Sequence, residues 1–319
     1  MGRFVFHAVE CCRYRQYSSL PPPANPMTES NSWTHREAVV NGVRLHYVEA
    51  GQGPLVILLH GFPEFWYSWR AQIPALAAAG YHVIALDMRG YNLSQKPPRV
   101  RDYGIEILAR DVAELIRSTG AARATVVGHD WGGAVAWFAP MLYPHLVEKL
   151  IVLNAPHPLA FLRELKTPAQ LLKSWYQFFF QLPYLPEAMI RARDYAMLRD
   201  LLRRAPSRRR AFTKADIRLY KAAIAQPSAL TAALNYYRAA FRGGPRGMSR
   251  LARRIDVSTL LIWGEQDRYL GLNLTRDLEQ WVPRLRLERL ADASHWVQND
   301  APQRVNELMI EFLREADER

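Results

Sequence analysis

The chain has 319 residues, 49% hydrophobic and 23% charged, a composition that excludes a disordered or fibrous protein. No apolar run approaches the roughly 20 residues that a membrane-spanning helix requires, so we expect no transmembrane segment. The two cysteines, Cys11 and Cys12, are adjacent, and neighbouring Cα atoms lie too close together for normal disulfide geometry. The sequence therefore excludes a disulfide scaffold and a cysteine-bound metal, and we expect a cytoplasmic protein.

The formal net charge is +12, and one segment carries it. Residues 155–254 contain 20 Lys and Arg against 5 Asp and Glu, whereas the rest of the chain is slightly acidic. Phosphate binding by this segment would need a flat face lined with aromatic side chains, which a sequence does not reveal. We interpret the charge as a solvated helical surface and predict no nucleic-acid partner.

Residues 1–32 differ in composition from the rest of the chain. Three arginines are followed by two serines and by a proline-rich run from Pro21 to Pro26. The apolar stretch Phe4–Ala8 contains a histidine and is too short for a signal peptide. We predict a disordered or leader-like extension, and a start placed too early, with Met27 as the initiator, is an alternative.

From about Arg36 onward, short β-rich runs alternate with helical patterns such as Ile107–Ser118. Alternation of this kind predicts an α/β fold with an eight-stranded, mostly parallel sheet covered by helices on both faces. The eight predicted strands are Glu37–Val40, Val43–Val48, Leu55–His60, Tyr81–Asp87, Ala124–Gly128, Leu150–Asn154, Thr259–Gly264 and Leu285–Leu290.

The alternation stops after the sixth predicted strand. Residues 156–256 show no strand pattern and contain only helical runs rich in Leu, Arg, Tyr and Phe. An all-helical insertion between strands six and seven predicts a lid over the carboxyl edge of the sheet, where α/β folds bind ligands. The predicted domains are an extension (1–32), a core in two parts (33–155 and 257–319) and the lid (156–256).

The strongest local motif is Gly128-His129-Asp130-Trp131-Gly132-Gly133, which follows the fifth predicted strand and precedes a helical run. Glycines at these positions permit a sharp turn that lifts the central side chain above the sheet. The pattern is typical of a nucleophile elbow with Asp130 in the position that serine usually occupies. A glycine-rich turn with a helix-capping aspartate is the alternative interpretation.

The segment His60-Gly61-Phe62-Pro63-Glu64 follows the third predicted strand. In folds with a nucleophile elbow, the loop at this position supplies one backbone N–H group of the oxyanion hole, and the residue after the nucleophile supplies the other. The sequence therefore predicts Phe62 and Trp131 as the two donors.

Two further strand ends complete a candidate catalytic triad. Asp267 follows the seventh strand, and His295 is the one histidine of nine that follows the eighth. The chain order nucleophile, acid, histidine is that of α/β-hydrolases. Asn154, after the sixth strand, occupies the other place where such folds keep the acid, but it cannot carry a charge. Asp267 is therefore the predicted acid.

From about Thr34 to Leu313, the sequence resembles an epoxide hydrolase of the α/β-hydrolase superfamily. The similarity is carried by the segments from His60 to Arg70, from Gly128 to Gly133 and from Ser294 to Trp296. It implies the α/β-hydrolase fold with a helical lid. It also implies that two lid tyrosines grip the epoxide oxygen.

The resemblance places these tyrosines at Tyr176 and Tyr237, with the adjacent Tyr236 as the alternative for the second. It implies that Asp130 attacks the epoxide to form an alkyl-enzyme ester. His295, oriented by Asp267, then activates the water that releases a vicinal diol.

No metal or organic cofactor is needed for this chemistry, and the expected partners are a small apolar epoxide and water. An aromatic lid predicts an apolar pocket, and four residues are predicted to bind substrate: Trp66, Phe178, Phe179 and Tyr236. The physiological epoxide, the enantiopreference and the oligomeric state do not follow from the sequence.

The nearest alternative is a haloalkane dehalogenase, which uses the same aspartate nucleophile. A departing halide needs N–H donors, so Trp131 fits both activities. However, Phe62 stands where many dehalogenases have asparagine, and the tyrosine pair would have no role in them. A serine esterase is disfavoured because no serine occupies the elbow, and a non-catalytic binding protein is disfavoured because no triad member is missing.

Overall fold

The computed structural model of the chain describes residues 33–316, so the predicted extension over residues 1–32 lies outside the described residues. Short runs of buried β-branched and aliphatic residues form the central strands, and all five residues of the third strand are buried. The strands are β1 (Thr34–Val40), β2 (Val43–Ala50), β3 (Leu55–Leu59), β4 (His82–Leu86), β5 (Ala124–His129), β6 (Val147–Leu153), β7 (Thr259–Gly264) and β8 (Leu285–Leu290).

The strands form one sheet in the order β1-β2-β4-β3-β5-β6-β7-β8. The β1–β2 and β2–β4 pairs are antiparallel, and all other neighbours are parallel. The β1–β2 hairpin turns at Asn41 and Gly42, which both have positive φ angles, as a tight hairpin turn requires. The prediction of an eight-stranded, mostly parallel sheet is confirmed.

The sequence pattern predicts that β6 begins at Leu150, because Lys149 interrupts the apolar run. In the structure the strand begins three residues earlier, at Val147. The side chain of Lys149 is buried, and its ammonium group donates to the backbone carbonyls of Phe312, Leu313 and Glu315. These carbonyls lie at the end of the last helix, where backbone acceptors lack helical partners. A charge inside the strand is therefore satisfied by a distant part of the chain.

Helices cover both faces of the sheet. The helices of the core are α1 (Gln72–Ala78), α2 (Ile105–Ser118), α3 (Trp131–Leu142), α10 (Val297–Asp300) and α11 (Pro302–Arg314). Helix α1 packs against β4 and α11, whereas α2 packs against α3.

Six helices lie between β6 and β7, as predicted for the lid. They are α4 (Pro158–Glu164), α5 (Pro168–Lys173), α6 (Trp175–Phe179), α7 (Leu185–Arg204), α8 (Lys214–Ile224) and α9 (Ala229–Leu251). Helix α7 is broken at residues 192–195, and α9 bends at Gly244, just before a proline that cannot continue the helical hydrogen bonds. None of the helices in residues 33–316 combines the length and apolar character that crossing a membrane requires.

Candidate active site

Asp130 occupies the sharp turn between β5 and α3, with φ 51° and ψ −116°. A Cβ atom on Gly128 would lie 2.2 Å from the carbonyl oxygen of Gly132, and one on Gly132 would lie 2.2 Å from that of Leu59. Larger residues are therefore excluded on both sides of the turn. Asp130 makes no side-chain capping hydrogen bond to α3, so the helix-capping interpretation is wrong and the carboxylate is free for other partners.

Because β3, β5, β7 and β8 are parallel, the loops after them meet at one edge of the sheet. At this edge the Nε2 atom of His295 lies 3.4 Å from Oδ2 of Asp130. The Nδ1 atom of His295 lies 2.7 Å from Oδ2 of Asp267. The three predicted triad residues, which are 28 to 165 positions apart, are thus brought into one row.

The carboxylate of Asp267 is held from several directions. Its Oδ1 atom accepts hydrogen bonds from the backbone N–H groups of Tyr269 at 2.7 Å and Leu270 at 3.0 Å. Its Oδ2 atom accepts from the side-chain amide of Asn154 at 2.8 Å. A carboxylate with these donors stays ionised and fixes the orientation of the His295 ring.

The two predicted oxyanion-hole residues, Phe62 and Trp131, lie beside Asp130. The backbone N–H group of Phe62 donates to Oδ1 of Asp130 at 2.9 Å. Trp131 is the first residue of α3, so its N–H group belongs to the set that has no partner within the helix. The N–H group of Phe62 is therefore in a position to stabilise negative charge on Oδ1.

Burial and neighbouring charges set the pKa values of the triad. Burial alone would raise the pKa of Asp130 and of Asp267, but the charge and hydrogen bonds of His295 bring both below their ordinary values. Burial alone would lower the pKa of His295, but the two carboxylates raise it to about 10. In the site without substrate, the two carboxylates therefore favour the protonated form of His295.

The two predicted lid tyrosines lie together above Asp130. Tyr176 belongs to α6 and Tyr237 to α9, and their ring centroids are 5.9 Å apart at an interplanar angle of 79°. Burial and the charge of Asp130 both raise the pKa of each phenol far above its ordinary value. Both hydroxyl groups are therefore protonated and able to donate a hydrogen bond.

Tyr236 has a different role from its neighbour. Its hydroxyl group donates at 2.7 Å to the backbone carbonyl of Arg89, whose guanidinium group pairs with the buried Asp111. The hydroxyl of Tyr236 is thus used in a hydrogen bond within the core. The ring of Tyr237 instead packs edge-on against that of Trp131, with ring centroids 4.9 Å apart.

Two cavities meet at these residues. Of the described residues, Asp130, Tyr176 and Tyr237 line both cavities. Cavity A, of about 330 Å³, has a mainly apolar wall that includes Leu108, Trp131, Phe138, Phe161, Tyr236 and Met248. Cavity B, of about 300 Å³, has a wall that includes Phe62, Phe179, Ile190, Leu198, Leu230 and Trp296. The carboxylate of Asp130 and the two phenols thus face an apolar space that extends to both sides of them.

Comparisons with known proteins identify the family of this chain. The family model of the α/β hydrolase fold matches residues 54–302. The chain is 45% identical over 284 residues to the AB hydrolase superfamily protein YfhM of Bacillus subtilis, covering 86% of this chain and 96% of that protein. It is 40% identical over 312 residues to human epoxide hydrolase 4, covering 95% of this chain and 84% of the relative.

A solved structure extends the comparison. A crystal structure of an epoxide hydrolase variant from Bacillus megaterium superimposes with a TM-score of 0.82 at 34% identity, covering 88% of this chain and 100% of that one. The chain belongs to the epoxide hydrolase family. The resemblance to an epoxide hydrolase of the α/β-hydrolase superfamily is thereby confirmed.

Two residues predicted to bind substrate in this epoxide hydrolase family member lie outside both cavities. Trp66 is buried beside Trp33 and His35, because the short 3-10 turn that contains it directs the ring toward β1. Phe178 is half exposed and packs against Phe241. Successive residues of a helix point about 100° apart, so Phe178 faces outward when its neighbour Phe179 lines cavity B. Neither side chain lines the cavities at Asp130, so the structure does not support a role in substrate binding for Trp66 or Phe178, and both assignments stay predictions.

Tyr269 is a site residue of this family member that the sequence reading missed. Its ring centroid lies 5.4 Å from that of His295 and it lines cavity B, while its backbone binds Asp267. Burial and the charge of Asp267 raise the pKa of its phenol to about 12. Its position two residues after the predicted acid was the available signal.

A second missed feature is the buried pair of Glu64 and His129. The Nδ1 atom of His129 lies 2.8 Å from Oε2 of Glu64, and its Nε2 atom lies 2.8 Å from the backbone carbonyl of His295. Burial would raise the pKa of Glu64, but His129 and the hydroxyl of Ser68 lower it below its ordinary value. The pair therefore supports the His295 loop from beneath the site.

Among residues 33–316, no group of three or more His, Cys, Asp or Glu side chains is arranged to hold a metal ion.

Proposed function

We propose that this chain hydrolyses an apolar epoxide to a vicinal diol through a covalent ester on Asp130. The observation that best supports the proposal is that Asp130, Tyr176 and Tyr237 line both cavities together. An epoxide seated there has a nucleophile on one side of its ring carbon and neutral proton donors on the side of its oxygen. This is the pair of functions that opening the ring requires.

In the first step, Oδ1 of Asp130 remains at the N–H group of Phe62, which leaves Oδ2 to attack the epoxide carbon. The new C–O bond forms an ester as the epoxide C–O bond breaks. One phenol passes its proton to the developing alkoxide and the other donates a hydrogen bond. A positioned acid of this kind typically contributes about 10²–10⁴-fold to the rate.

Ester formation also prepares His295 for the second step. The carboxylate of Asp130 helps to raise the pKa of His295 to about 10, and the neutral ester lacks that charge. The pKa of His295 therefore falls, and its proton restores the tyrosine that became a phenolate. The neutral imidazole can then act as a base while Asp267 fixes its tautomer.

In the second step, His295 removes a proton from a water molecule that attacks the ester carbonyl carbon. Negative charge collects on Oδ1, to which the N–H group of Phe62 donates, and we assign the N–H group of Trp131 as the second donor. Collapse of the tetrahedral intermediate breaks the bond between the former carbonyl carbon and the substrate oxygen. The departing alkoxide takes the second proton of the attacking water, so the diol leaves and Asp130 is again a carboxylate. His295 keeps the first proton of that water, so the cycle consumes one epoxide and one water.

Isotope labelling tests the covalent route. With enzyme in excess over styrene oxide in H₂¹⁸O, a single turnover should give a diol without ¹⁸O, because its new oxygen comes from Asp130. The label should appear in the Asp130 carboxylate. A labelled diol with an unlabelled Asp130 would show direct attack by water and overturn the proposal.

Parallel turnover assays with styrene oxide, a bromoalkane and a p-nitrophenyl ester test the substrate class. We expect hydrolysis of the epoxide to exceed that of the other two substrates by a wide margin. A dominant bromoalkane activity would identify a dehalogenase instead, and a dominant ester activity would identify an esterase.

A further inference from the structure

The outer surface of the lid exposes an unusual number of large apolar side chains. Leu172, Trp175 and Tyr184 are 74%, 63% and 85% exposed. Single exposed apolar residues are common, but a contiguous group marks an interaction surface. We call this group the lid patch, and its members are Leu171, Leu172, Trp175, Phe178, Leu182, Tyr184, Leu185, Met189 and Phe241.

The lid patch draws on several helices. Leu171 and Leu172 on α5 and Trp175 and Phe178 on α6 are all exposed and lie within eight residues of one another. The ring centroids of Phe178 and Phe241 are 6.1 Å apart, so the middle of α9 joins the surface formed by α6.

The lid patch surrounds an opening of cavity B. Trp175 and Met189 belong to the patch and also line this cavity. Met197, further along α7, is likewise both exposed and part of the cavity wall. Side chains that are exposed and also line a cavity mark its mouth, so cavity B opens through apolar surface.

The exposed charged residues in and next to the segments of the lid patch are mostly basic. Lys166, Arg191, Arg242 and Arg246 are exposed, and none of them forms an ion pair within residues 33–316. Between residues 165 and 193 the one acidic residue is Glu187, which is buried and paired with Arg238. Asp194, which follows this stretch, is exposed, but it pairs with Lys221 and Arg199, so the unpaired charges named here are all basic.

We propose that the lid patch docks onto the surface of an anionic lipid bilayer. Aromatic and aliphatic side chains enter the interface between headgroups and acyl chains, while Lys and Arg contact anionic headgroups. An acidic protein partner would match the charge, but it would not require a broad set of exposed aliphatic residues. Docking would also bring the mouth of cavity B to the membrane, where apolar epoxides concentrate; this last point rests on the proposed function.

Flotation with lipid vesicles tests the docking without any turnover assay. We expect the full chain to bind phosphatidylcholine vesicles that contain about one third phosphatidylglycerol, and to bind pure phosphatidylcholine vesicles at least about tenfold more weakly. High salt should release much of the bound protein. Equal binding to both lipids, or no binding to either, would overturn the proposal.

Two variants separate the apolar and the electrostatic contributions to vesicle binding. They are Leu172→Ser and the double variant Arg242→Gln/Arg246→Gln. Leu172→Ser should lower vesicle binding at least about fivefold, since a leucine loses its burial in the interface. Val39→Ser is the matched control, because Val39 is 77% exposed on β1, outside the lid, and this variant should bind like the unchanged protein. The double Gln variant should weaken the binding and reduce its dependence on salt.

Neither Leu172 nor Val39 lines a cavity, so turnover of a water-soluble epoxide checks that each variant is folded. Sedimentation without lipid identifies a competing use of the patch. A dimer of the full chain that Leu172→Ser dissociates would show that the patch binds a second copy, and the lipid proposal would then be wrong. Unchanged vesicle binding by Leu172→Ser would also contradict it.

Discussion

The side-chain amide of Asn154 donates at 2.8 Å to the same Oδ2 atom of Asp267 that His295 contacts at 2.7 Å. Asn154 is itself fixed, because its Oδ1 atom accepts a hydrogen bond from the backbone N–H of Gly264. The residue in the alternative acid position thus does not replace the acid. It orients the acid and keeps it ionised.

Asn154→Asp should therefore impair the enzyme although it adds a carboxylate at a place where such folds can keep one. Two carboxylates in contact share a proton until the pH exceeds the apparent pKa of the pair. Above that pH, the added negative charge raises the pKa of His295 further. His295 then becomes neutral, and able to act as a base, only at a higher pH. We expect the rate of ester hydrolysis at pH 7 to fall about tenfold or more.

A pH profile of turnover checks this, with the acidic limb of Asn154→Asp displaced to higher pH. Asn154→Ala is the control, since it loses the hydrogen bond but adds no charge, and its acidic limb should hardly move. Identical profiles for Asn154→Asp and Asn154→Ala would contradict the electrostatic argument.

Tyr176→Phe and Tyr237→Phe should each slow ester formation about tenfold, because the remaining phenol can still donate to the alkoxide. In the double variant, the rate of ester formation should fall about 10³-fold. Rapid mixing under single-turnover conditions measures this step by itself. Tyr236→Phe serves as the control: it removes the hydrogen bond to Arg89 and should reduce stability by about 1 kcal/mol with little effect on the rate. If Tyr236→Phe slows ester formation more than Tyr237→Phe does, the second proton donor is Tyr236 and not Tyr237.

His295→Gln should separate the two half-reactions. Ring opening depends on Asp130 and the phenols, whereas hydrolysis of the ester needs a base. The variant should consume about one equivalent of styrene oxide and retain the mass of the substrate on Asp130. Intact-protein mass spectrometry detects this adduct, and Asp130→Ala should give none. Continued diol release from an unmodified His295→Gln variant would require another base.

His157 predicts a pH dependence of stability that is independent of the active site. Its buried ring stacks on that of Trp281, with ring centroids 5.0 Å apart, and burial lowers the pKa of His157 to about 3. The folded state therefore keeps His157 neutral where the unfolded chain, with a pKa near 6.5, binds a proton. This contribution to stability is complete above pH 6.5 and declines by up to about 1.4 kcal/mol per pH unit toward pH 3.

Urea titrations at several pH values measure the slope. His157→Phe retains an aromatic ring beside Trp281 but cannot bind a proton, so the stability of this variant should depend less steeply on pH below 6.5. An unchanged slope would mean that other groups control the acid sensitivity.

The sequence by itself determined the α/β order of elements, the helical insertion and the three triad positions. These features are encoded locally: apolar runs of strand length, the glycines around Asp130, and polar residues placed directly after strands. Parallel strands bring their carboxyl ends to one edge, so the chain order of Asp130, Asp267 and His295 was enough to group them.

The tertiary structure alone decided contacts between elements that lie far apart in the chain. Local pattern did not reveal that Lys149 is satisfied by the end of α11, or that His129 links Glu64 to the His295 loop. It also did not show which of two adjacent tyrosines faces Asp130, since residues on one helix point in different directions and only the packing of α9 selects one of them. The outward position of Phe178 has the same cause, because a run of three phenylalanines on a helix cannot turn all its rings toward one cavity.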